Sequence, residues 1–188
     1  MHKFNPEHAR NLMSPRRLEH EKPDTIVKAA GVAENMAVAD VGCGIGFYTF
    51  PLSAIVGEKG VVYAVDLSDD MLSLLKKEME DRNVSNVKPI RSQETKIPLG
   101  DKTADVVINV NMLHEAEDRD AFIKELKRLM KNNGRLLIID HKKEPTPTGP
   151  PLEERISYEE AFGLLKKYFD IVVKGPSGDH QYGIIAMK

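Results

Sequence analysis

Short apolar runs alternate along the chain with longer amphipathic segments. Four of the runs have the length of strands and are rich in β-branched residues: 37–41, 61–65, 105–108 and 136–139. Runs that are continuously apolar are typical of parallel strands buried on both faces of a sheet. Two later runs, residues 171–173 and 182–186, have no helical segment between them. We expect those two strands to pair antiparallel at one edge of the sheet.

The segments between the runs carry apolar residues at helical spacing. One pattern spans residues 71–79 and follows Ser68, a residue type that commonly caps helices, and another spans residues 122–130 and ends before Asn132-Asn133-Gly134. Further helices are predicted at 25–31, 47–56 and 157–168. Alternating strands and helices predict an α/β fold with right-handed crossovers and an open, doubly wound parallel sheet.

Two segments lie outside this scaffold. Residues 1–24 are polar and contain a predicted turn at 14–17, whereas residues 25–188 form the predicted domain. Residues 141–151 contain four prolines, which exclude the interior of a helix or a sheet. Ligands of doubly wound folds bind beyond the carboxyl ends of the strands. Because residues 141–151 follow such a strand end, we expect this proline-rich loop to lie beside a ligand.

The glycine-rich sequence Asp40-Val41-Gly42-Cys43-Gly44-Ile45-Gly46 follows the first predicted core strand. Glycines permit tight turns and close approach of the backbone to a ligand. A dinucleotide loop of the form G-x-G-x-x-G requires a third glycine at position 47, where this chain has Phe47. The G-x-G-x-G spacing with a preceding acid therefore disfavours a nicotinamide-dependent oxidoreductase.

This motif resembles motif I of the class I S-adenosylmethionine-dependent methyltransferases, in particular the branch similar to ubiquinone/menaquinone C-methyltransferases and arsenite methyltransferases. Asp66 at the end of the second strand agrees with the family, and the sequence Met112-Leu113-His114-Glu115 after the fourth strand resembles a segment of that branch. The resemblance implies a Rossmann-like sheet of seven strands, mostly parallel with an antiparallel edge strand, and helices on both faces. It also implies S-adenosylmethionine as cofactor and S-adenosylhomocysteine as product.

The resemblance also assigns residues to the cofactor. The positions implied to contact it are Asp40, Gly42, Cys43, Gly44, Gly46, Asp66, Leu67, Met71, Gln93, Glu94 and Asn109. Asp66 is the expected partner of the ribose hydroxyls, and Met71 is expected to pack on the adenine. Ser92-Gln93-Glu94 stands where Gly-Asp-Ala is common in the family, so the adenine contact falls to either Gln93 or Glu94.

Candidate catalytic groups follow the fourth and fifth strands. The carboxyl ends of both strands face the expected position of the sulfonium, which makes His141 and His114 the candidate catalytic residues. A histidine can accept a proton near neutral pH. The alternative is that each histidine is a structural or substrate-contact residue. His2, His8 and His20 do not have the spacing of metal ligands, so no metal site is expected.

The composition of the chain limits the class of molecule that accepts the methyl group and indicates the cellular compartment of the protein. Lys and Arg number 27 against 29 Asp and Glu, a balance that argues against steering of nucleic acid or of anionic membranes. The single cysteine, Cys43, excludes an intrachain disulfide, and it disfavours arsenite as substrate because trivalent arsenic is held by several thiolates. Together with the absence of an apolar leader, it predicts a cytoplasmic protein. We therefore expect a small-molecule substrate, no nucleic-acid or membrane partner, and leave a homodimer open.

Residues 1–24 are predicted to close over the cofactor as a lid. Phe4, Met13 and Tyr182 are the expected apolar contacts of this lid, and His2 or Lys3 its polar contacts. The function that follows is methyl transfer to a small molecule by in-line displacement. The alternative is a non-catalytic module that binds S-adenosylmethionine and serves as a regulatory or partner subunit.

Overall fold

A single seven-stranded sheet organises the molecule, in the order β3-β2-β1-β4-β5-β7-β6. The computed structural model describes residues 13–147 and 149–188. The strands are β1 Ala37–Val41, β2 Val61–Asp66, β3 Val87–Arg91, β4 Ala104–Val110, β5 Met130–His141, β6 Ile171–Gly175 and β7 Gln181–Met187. The helices are α1 Pro15–Glu21, α2 Pro23–Ala29, α3 Thr49–Val56, α4 Asp69–Asp81, α5 Arg119–Leu129 and α6 Tyr158–Lys166.

The first five strands are parallel, and β7 runs antiparallel to both of its neighbours, β5 and β6. The predicted fold class and the antiparallel pairing of the last two strands are confirmed. The antiparallel strand is second from the edge, with β6 outermost. This order places the ends of β1, β2, β4 and β5 side by side, which is where ligands of doubly wound folds bind.

Two apolar clusters hold the helices against opposite faces of the sheet. One face packs against α5 and α6 through Leu126, Leu129, Leu164 and Leu165. The other face packs against α2, α3 and α4, with side chains such as Ile26, Leu52 and Leu75. Leu126, Leu129, Leu165, Leu52 and Leu75 are all completely buried. Helices on both faces bury the continuously apolar strands, as the sequence predicts.

Two local predictions were wrong, and the range of one strand was not predicted. The turn expected at 14–17 is the start of α1, where Ser14 accepts a hydrogen bond from the Arg17 N–H and Pro15 occupies the first helical position. The helix expected to include Met130 ends at Leu129, and Met130 already pairs with Ala104 in the sheet. No strand pattern marks β3, because it is an edge strand that contains a proline and two basic residues.

Among residues 13–147 and 149–188, no helix is long and apolar enough to cross a membrane.

Candidate functional site

A cleft of about 1630 Å³ opens at the carboxyl ends of the parallel strands. Its walls come from the loops that follow β1 to β5, from the loop between β6 and β7, and from α1. Pockets for small molecules usually measure about 300–1,000 Å³. The cleft is therefore large enough for two small molecules, or for one large one.

The glycine-rich loop after β1 turns sharply into the cleft. Gly42 and Gly44 have φ angles of +82° and +53°, which residues with a Cβ rarely adopt. The N–H groups of Gly42 and Cys43 both donate to the carbonyl of Val65, which ties the loop to the end of β2. Gly42, Cys43 and Gly44 all line the cleft.

Asp66 lies at the end of β2 with its carboxylate held by the backbone. One oxygen, Oδ2, accepts the Gly44 N–H at 2.8 Å, and the other, Oδ1, accepts the Ser68 N–H at 2.8 Å. Burial raises the pKa of Asp66, while the hydrogen bonds from Ser68 and Gly44 oppose that rise. Each oxygen keeps acceptor capacity toward the cleft, which Asp66, Leu67 and Met71 all line.

Asp40 is buried beneath the glycine-rich loop and also reaches the cleft. Its Oδ2 accepts a hydrogen bond from the Thr49 hydroxyl at 2.6 Å. Burial raises the pKa of Asp40 to about 7, an effect that the Thr49 hydrogen bond opposes. A desolvated carboxylate of this kind is stabilised by a cationic ligand group.

His114 and Asp140 form a buried pair at the opposite side of the cleft. Nδ1 of His114 lies 2.7 Å from Oδ1 of Asp140, and the His114 N–H donates to Oδ2 at 3.0 Å. The His141 N–H donates to Oδ1 at 2.8 Å, so three donors orient the fully buried Asp140 carboxylate. Since a carboxylate only accepts, the neutral form of the His114 ring carries its proton on Nδ1 and keeps a lone pair on Nε2. Nε2 lies 3.8 Å from Oε1 of Glu115, another residue that lines the cleft.

The two candidate histidines differ in basicity. Burial lowers the pKa of His114, but the hydrogen bond and the charge of Asp140, together with the charges of Glu115 and Glu154, outweigh it and raise this pKa above 6.5. Burial lowers the pKa of His141 to about 4, although the Asp140 charge opposes that shift. His141 is therefore a neutral and weakly basic part of the cleft wall, and His114 is the stronger base.

The N-terminal helix α1 closes one side of the cleft. The Arg17 guanidinium pairs with Glu21 at 2.8 Å and stacks over the Phe47 ring at 3.9 Å. The Tyr48 hydroxyl donates to Glu21 at 3.3 Å, which fixes α1 to the start of α3. Met13 packs against Ile45 and Met71 beside the glycine-rich loop.

Comparison with known proteins decides the family. Residues 33–174 match the model of a family described as a methyltransferase domain. This chain belongs to the methyltransferase domain family. The resemblance stated from the sequence motifs is thereby confirmed.

Curated relatives of this methyltransferase domain include ubiquinone/menaquinone biosynthesis C-methyltransferases named UbiE. The protein from Shewanella sp. (strain ANA-3) is 28% identical over 149 residues, which are 79% of this chain and 58% of the relative. The protein from Idiomarina loihiensis is 29% identical over 157 residues, 83% of this chain and 61% of the relative. The chain thus spans less than two thirds of the length of these relatives.

Solved structures of methyltransferases share this fold. The crystal structure of a SAM dependent methyltransferase from Aquifex aeolicus has a TM-score of 0.90 and 38% identity, and the match covers 98% of each chain. The arsenic (III) S-adenosylmethionine methyltransferase CrArsM from Chlamydomonas reinhardtii has a TM-score of 0.67 at 20% identity, covering 84% of this chain and 65% of that one. The likeness to CrArsM is one of fold alone.

Two residues predicted to contact the cofactor do not line the cleft of this methyltransferase domain. Gly46 faces the helices instead, because a Cβ there would lie 2.5 Å from Phe50 and 2.7 Å from Leu75. Asn109 is completely buried in β4, and its Nδ2 donates to the Val41 carbonyl at 2.9 Å. Gly46 packs the end of the glycine-rich loop against α3 and α4, and Asn109 holds the start of the loop from β4. The linear motif cannot distinguish these roles from direct contact.

Substitution of Gly46 by alanine should therefore lower the stability of the folded protein. We expect the free energy of unfolding to fall by about 2–4 kcal/mol, because the new Cβ adds overpacking to a φ of +102°. Gly57 is the matched control, since it has a φ of +68° and nothing within 4 Å of an added Cβ. Gly57→Ala carries backbone strain without overpacking, because a φ of +68° with a ψ of −175° is a conformation that essentially only glycine adopts, and it should cost about 1–3 kcal/mol and less than Gly46→Ala. Equal urea midpoints for the two variants would contradict this packing role.

Gln93 and Glu94 both reach the cleft after β3. Oε1 of Glu94 accepts the backbone N–H groups of Glu117 and Asp118, at 3.0 and 3.4 Å. These bonds fix Glu94 as part of the wall. The exposed Gln93 side chain lies on the same rim, so the choice between the two for the adenine contact stays a prediction.

Tyr182 is not part of any lid. It is buried in β7, where its hydroxyl donates to the Ile156 carbonyl at 3.2 Å and its ring meets Tyr158 edge-on. Strand alternation directs it to the face that packs against α6. The other proposed lid contacts, His2, Lys3 and Phe4, lie outside the described residues.

Gln181 is a residue of the site that was not identified from the sequence, whereas its partner Asn111 was expected near the cleft because it follows the fourth strand. Gln181 at the start of β7 donates through Nε2 to Oδ1 of Asn111 at 2.9 Å, and its own buried Oε1 has no partner among the described residues. Asn111, directly after β4, has a φ of +56°, a left-handed conformation that asparagine adopts more readily than most residues. Gln181 comes from a strand 70 residues away. No local sequence motif predicts a contact between residues so far apart in the chain.

Within the described part of the chain, no group of three or more His, Cys, Asp and Glu side chains is arranged to hold a metal ion.

Proposed function

We propose that this protein transfers a methyl group from S-adenosylmethionine to a small molecule whose accepting atom gives up a proton. The observation that carries the proposal is the position of two groups in one cleft. The oriented Asp66 carboxylate stands at the end of β2, and the His114–Asp140 pair stands at the ends of β4 and β5.

The residues present fit this cofactor. Free acceptor capacity on Asp66 suits a pair of ribose hydroxyls, and the buried Asp40 carboxylate favours a ligand with positive charge. Gly44 turns the loop backbone into the cleft at a φ of +53°, and Gly42 leaves room for Met112, whose side chain a Cβ at position 42 would meet at 2.3 Å. When bound, the cofactor supplies a methyl group on a sulfonium that leaves as the neutral thioether of S-adenosylhomocysteine.

The chain's own residues align the acceptor and take its proton. His114 accepts the proton at Nε2, and Asp140 stabilises the imidazolium that forms. Asp140 also holds the ring in one orientation through Nδ1. His141, with its lowered pKa, contributes its backbone N–H to Asp140 and its ring to the cleft wall. Cys43 takes no part in the reaction, because burial raises the pKa of its thiol.

Calorimetric titration tests the proposal at its first step. S-adenosylmethionine and S-adenosylhomocysteine should both bind with a stoichiometry of one, and NAD should not bind. Binding of NAD in place of the sulfonium compound would overturn the assignment. Cofactor binding without turnover on any of a broad set of small-molecule acceptors would instead favour a non-catalytic subunit.

We also propose that residues 1–24 act as a lid, that the protein is cytoplasmic, and that it acts without a nucleic-acid partner. Support for the lid comes from α1, which borders the cleft through Ser14, Arg17, His20 and Glu21. The loop between β6 and β7 anchors α1, because the Asp179 N–H donates to the His20 carbonyl at 3.2 Å. The single cysteine agrees with a reducing compartment.

Deletion of residues 1–17 should lower turnover at least about tenfold, because acceptor alignment and water exclusion are lost. The affinity for S-adenosylmethionine should change less, since Asp66 and the glycine-rich loop remain. Tyr48→Phe removes only the hydrogen bond to Glu21 and should have a smaller effect on turnover. A truncated protein with the parental rate would show that α1 is not a lid.

A further inference from the structure

The outermost strand of the sheet, β6, carries apolar side chains toward solvent. Ile171 and Val173 are 47% and 44% exposed, whereas Val172 between them is 9% exposed and packs in the cluster with α6. Ile171 and Val173 therefore lie on the sheet face away from α6. One edge of β6 pairs with β7, and the other edge is the end of the sheet. Such an edge offers unpaired backbone groups for another strand.

Two exposed side chains of opposite charge lie at the two ends of β6, so that each can pair with the opposite charge on a second copy. Asp170 precedes the strand and Lys174 lies near its end, and both are exposed. At about 3.3 Å per residue they stand roughly 13 Å apart, too far for an ion pair with each other. Among the ion pairs of the described residues, neither takes part in one.

Antiparallel pairing of two β6 strands around Val172 gives each of these exposed charged and apolar side chains a partner on the other copy. In that register Asp170 stands opposite the partner's Lys174, and Ile171 stands opposite the partner's Val173. The two-fold axis repeats each pair, so one interface contains two opposite-charge pairs and two apolar pairs. Cross-strand pairs of both kinds stabilise antiparallel sheets.

We propose that this protein forms a homodimer through β6, in which the two seven-stranded sheets join at their edges. A second copy is the occupant that the charge pattern favours, because an isologous interface must be self-complementary and this strand is. The contact is short, so a reversible dimer with a dissociation constant in the micromolar range, about 1–100 μM, is expected. Nothing in this inference depends on the methyltransferase activity.

Sedimentation velocity of the full chain over a concentration series tests the proposal. The parent should shift with concentration from the 21.1 kDa monomer toward twice that mass. Asp170→Lys and Lys174→Asp each place like charges opposite one another at both ends of the interface. Each should raise the dissociation constant at least about tenfold.

The double variant, Asp170→Lys with Lys174→Asp, restores opposite charges and should return the dissociation constant to within a few-fold of the parent. Glu58→Lys and Lys59→Asp are matched controls, because they make the same charge changes at an exposed turn before β2. Both controls should dimerise like the parent. Circular dichroism confirms that each variant is folded, which is expected at such exposed positions.

Val173→Lys tests the apolar pairs separately and should also leave a folded monomer. A parent that stays monomeric throughout the series would overturn the proposal. So would a dimer that the single charge reversals do not weaken, since it must use another surface. Single reversals that weaken the dimer without rescue by the double variant would rule out the pairing around Val172.

Discussion

Asp66→Ala should weaken the binding of S-adenosylmethionine about 10- to 150-fold, which corresponds to about 1.5–3 kcal/mol. The substitution removes the carboxylate proposed to accept the ribose hydroxyls. It also leaves the N–H groups of Gly44 and Ser68 without their acceptor, so the glycine-rich loop loses its tie to β2 on that side. Calorimetric titration of the parent and the variant measures the effect.

Asp69→Ala is the matched control for this prediction. Asp69 borders the same cleft, but its side chain is 80% exposed and pairs with Arg91 across solvent at 3.3 Å. Surface ion pairs of this kind contribute about 0–1 kcal/mol. We therefore expect a change of at most a few-fold. Equal losses at Asp66 and Asp69 would indicate a general effect of negative charge and would refute the ribose assignment.

His114→Gln should lower the turnover number at least about 100-fold, the usual range for loss of a general base being about 10²–10⁴. The affinity for S-adenosylmethionine should stay within about twofold, because His114 stands on the acceptor side of the cleft. His141→Gln is the matched control in the same wall and should cost less, since the His141 contact to Asp140 runs through the backbone. If His141→Gln lowered the turnover number more than His114→Gln, His141 would be the general base instead of His114.

The pH dependence of turnover provides an independent measure of the same group. A base must be neutral to accept a proton, and Asp140 and the neighbouring carboxylates hold the pKa of His114 above 6.5 despite its burial. Turnover should therefore rise with pH through a midpoint above 6.5, and His114→Gln should remove that rise. A midpoint near 4 that disappears in His141→Gln would instead match the lowered pKa of His141.

The parts of this site that the sequence predicts are those that depend on local motifs. Asp40, the glycines of the loop and Asp66 occupy strand ends, and a strand end in a parallel sheet determines which side chains meet. Gly46 belongs to the same motif but faces Phe50 and Leu75, because its position is set by the packing of two helices. The spacing of glycines in a motif predicts that the chain turns, but it does not predict whether each residue faces the cleft or the helices.

The remaining features depend on contacts between distant segments. Gln181 reaches Asn111 only because β7 inserts beside β5, and Arg17 reaches Phe47 only because α1 folds back onto the start of α3. The pKa difference between His114 and His141 has the same origin. Both follow strand ends, but Asp140 hydrogen-bonds the ring of one and only the backbone of the other. Tertiary placement of this kind has no signature in residue spacing.

Transfer of label from methyl-labelled S-adenosylmethionine to small-molecule acceptors is the most direct measurement of the proposed function. The purified full chain should pass the label to an acceptor that carries a proton on the accepting atom, with formation of one S-adenosylhomocysteine per methyl group. The same acceptor with His114→Gln should gain label at least about 100-fold more slowly. Undiminished labelling by His114→Gln, or no labelling by a parent protein that binds S-adenosylmethionine, would contradict the account.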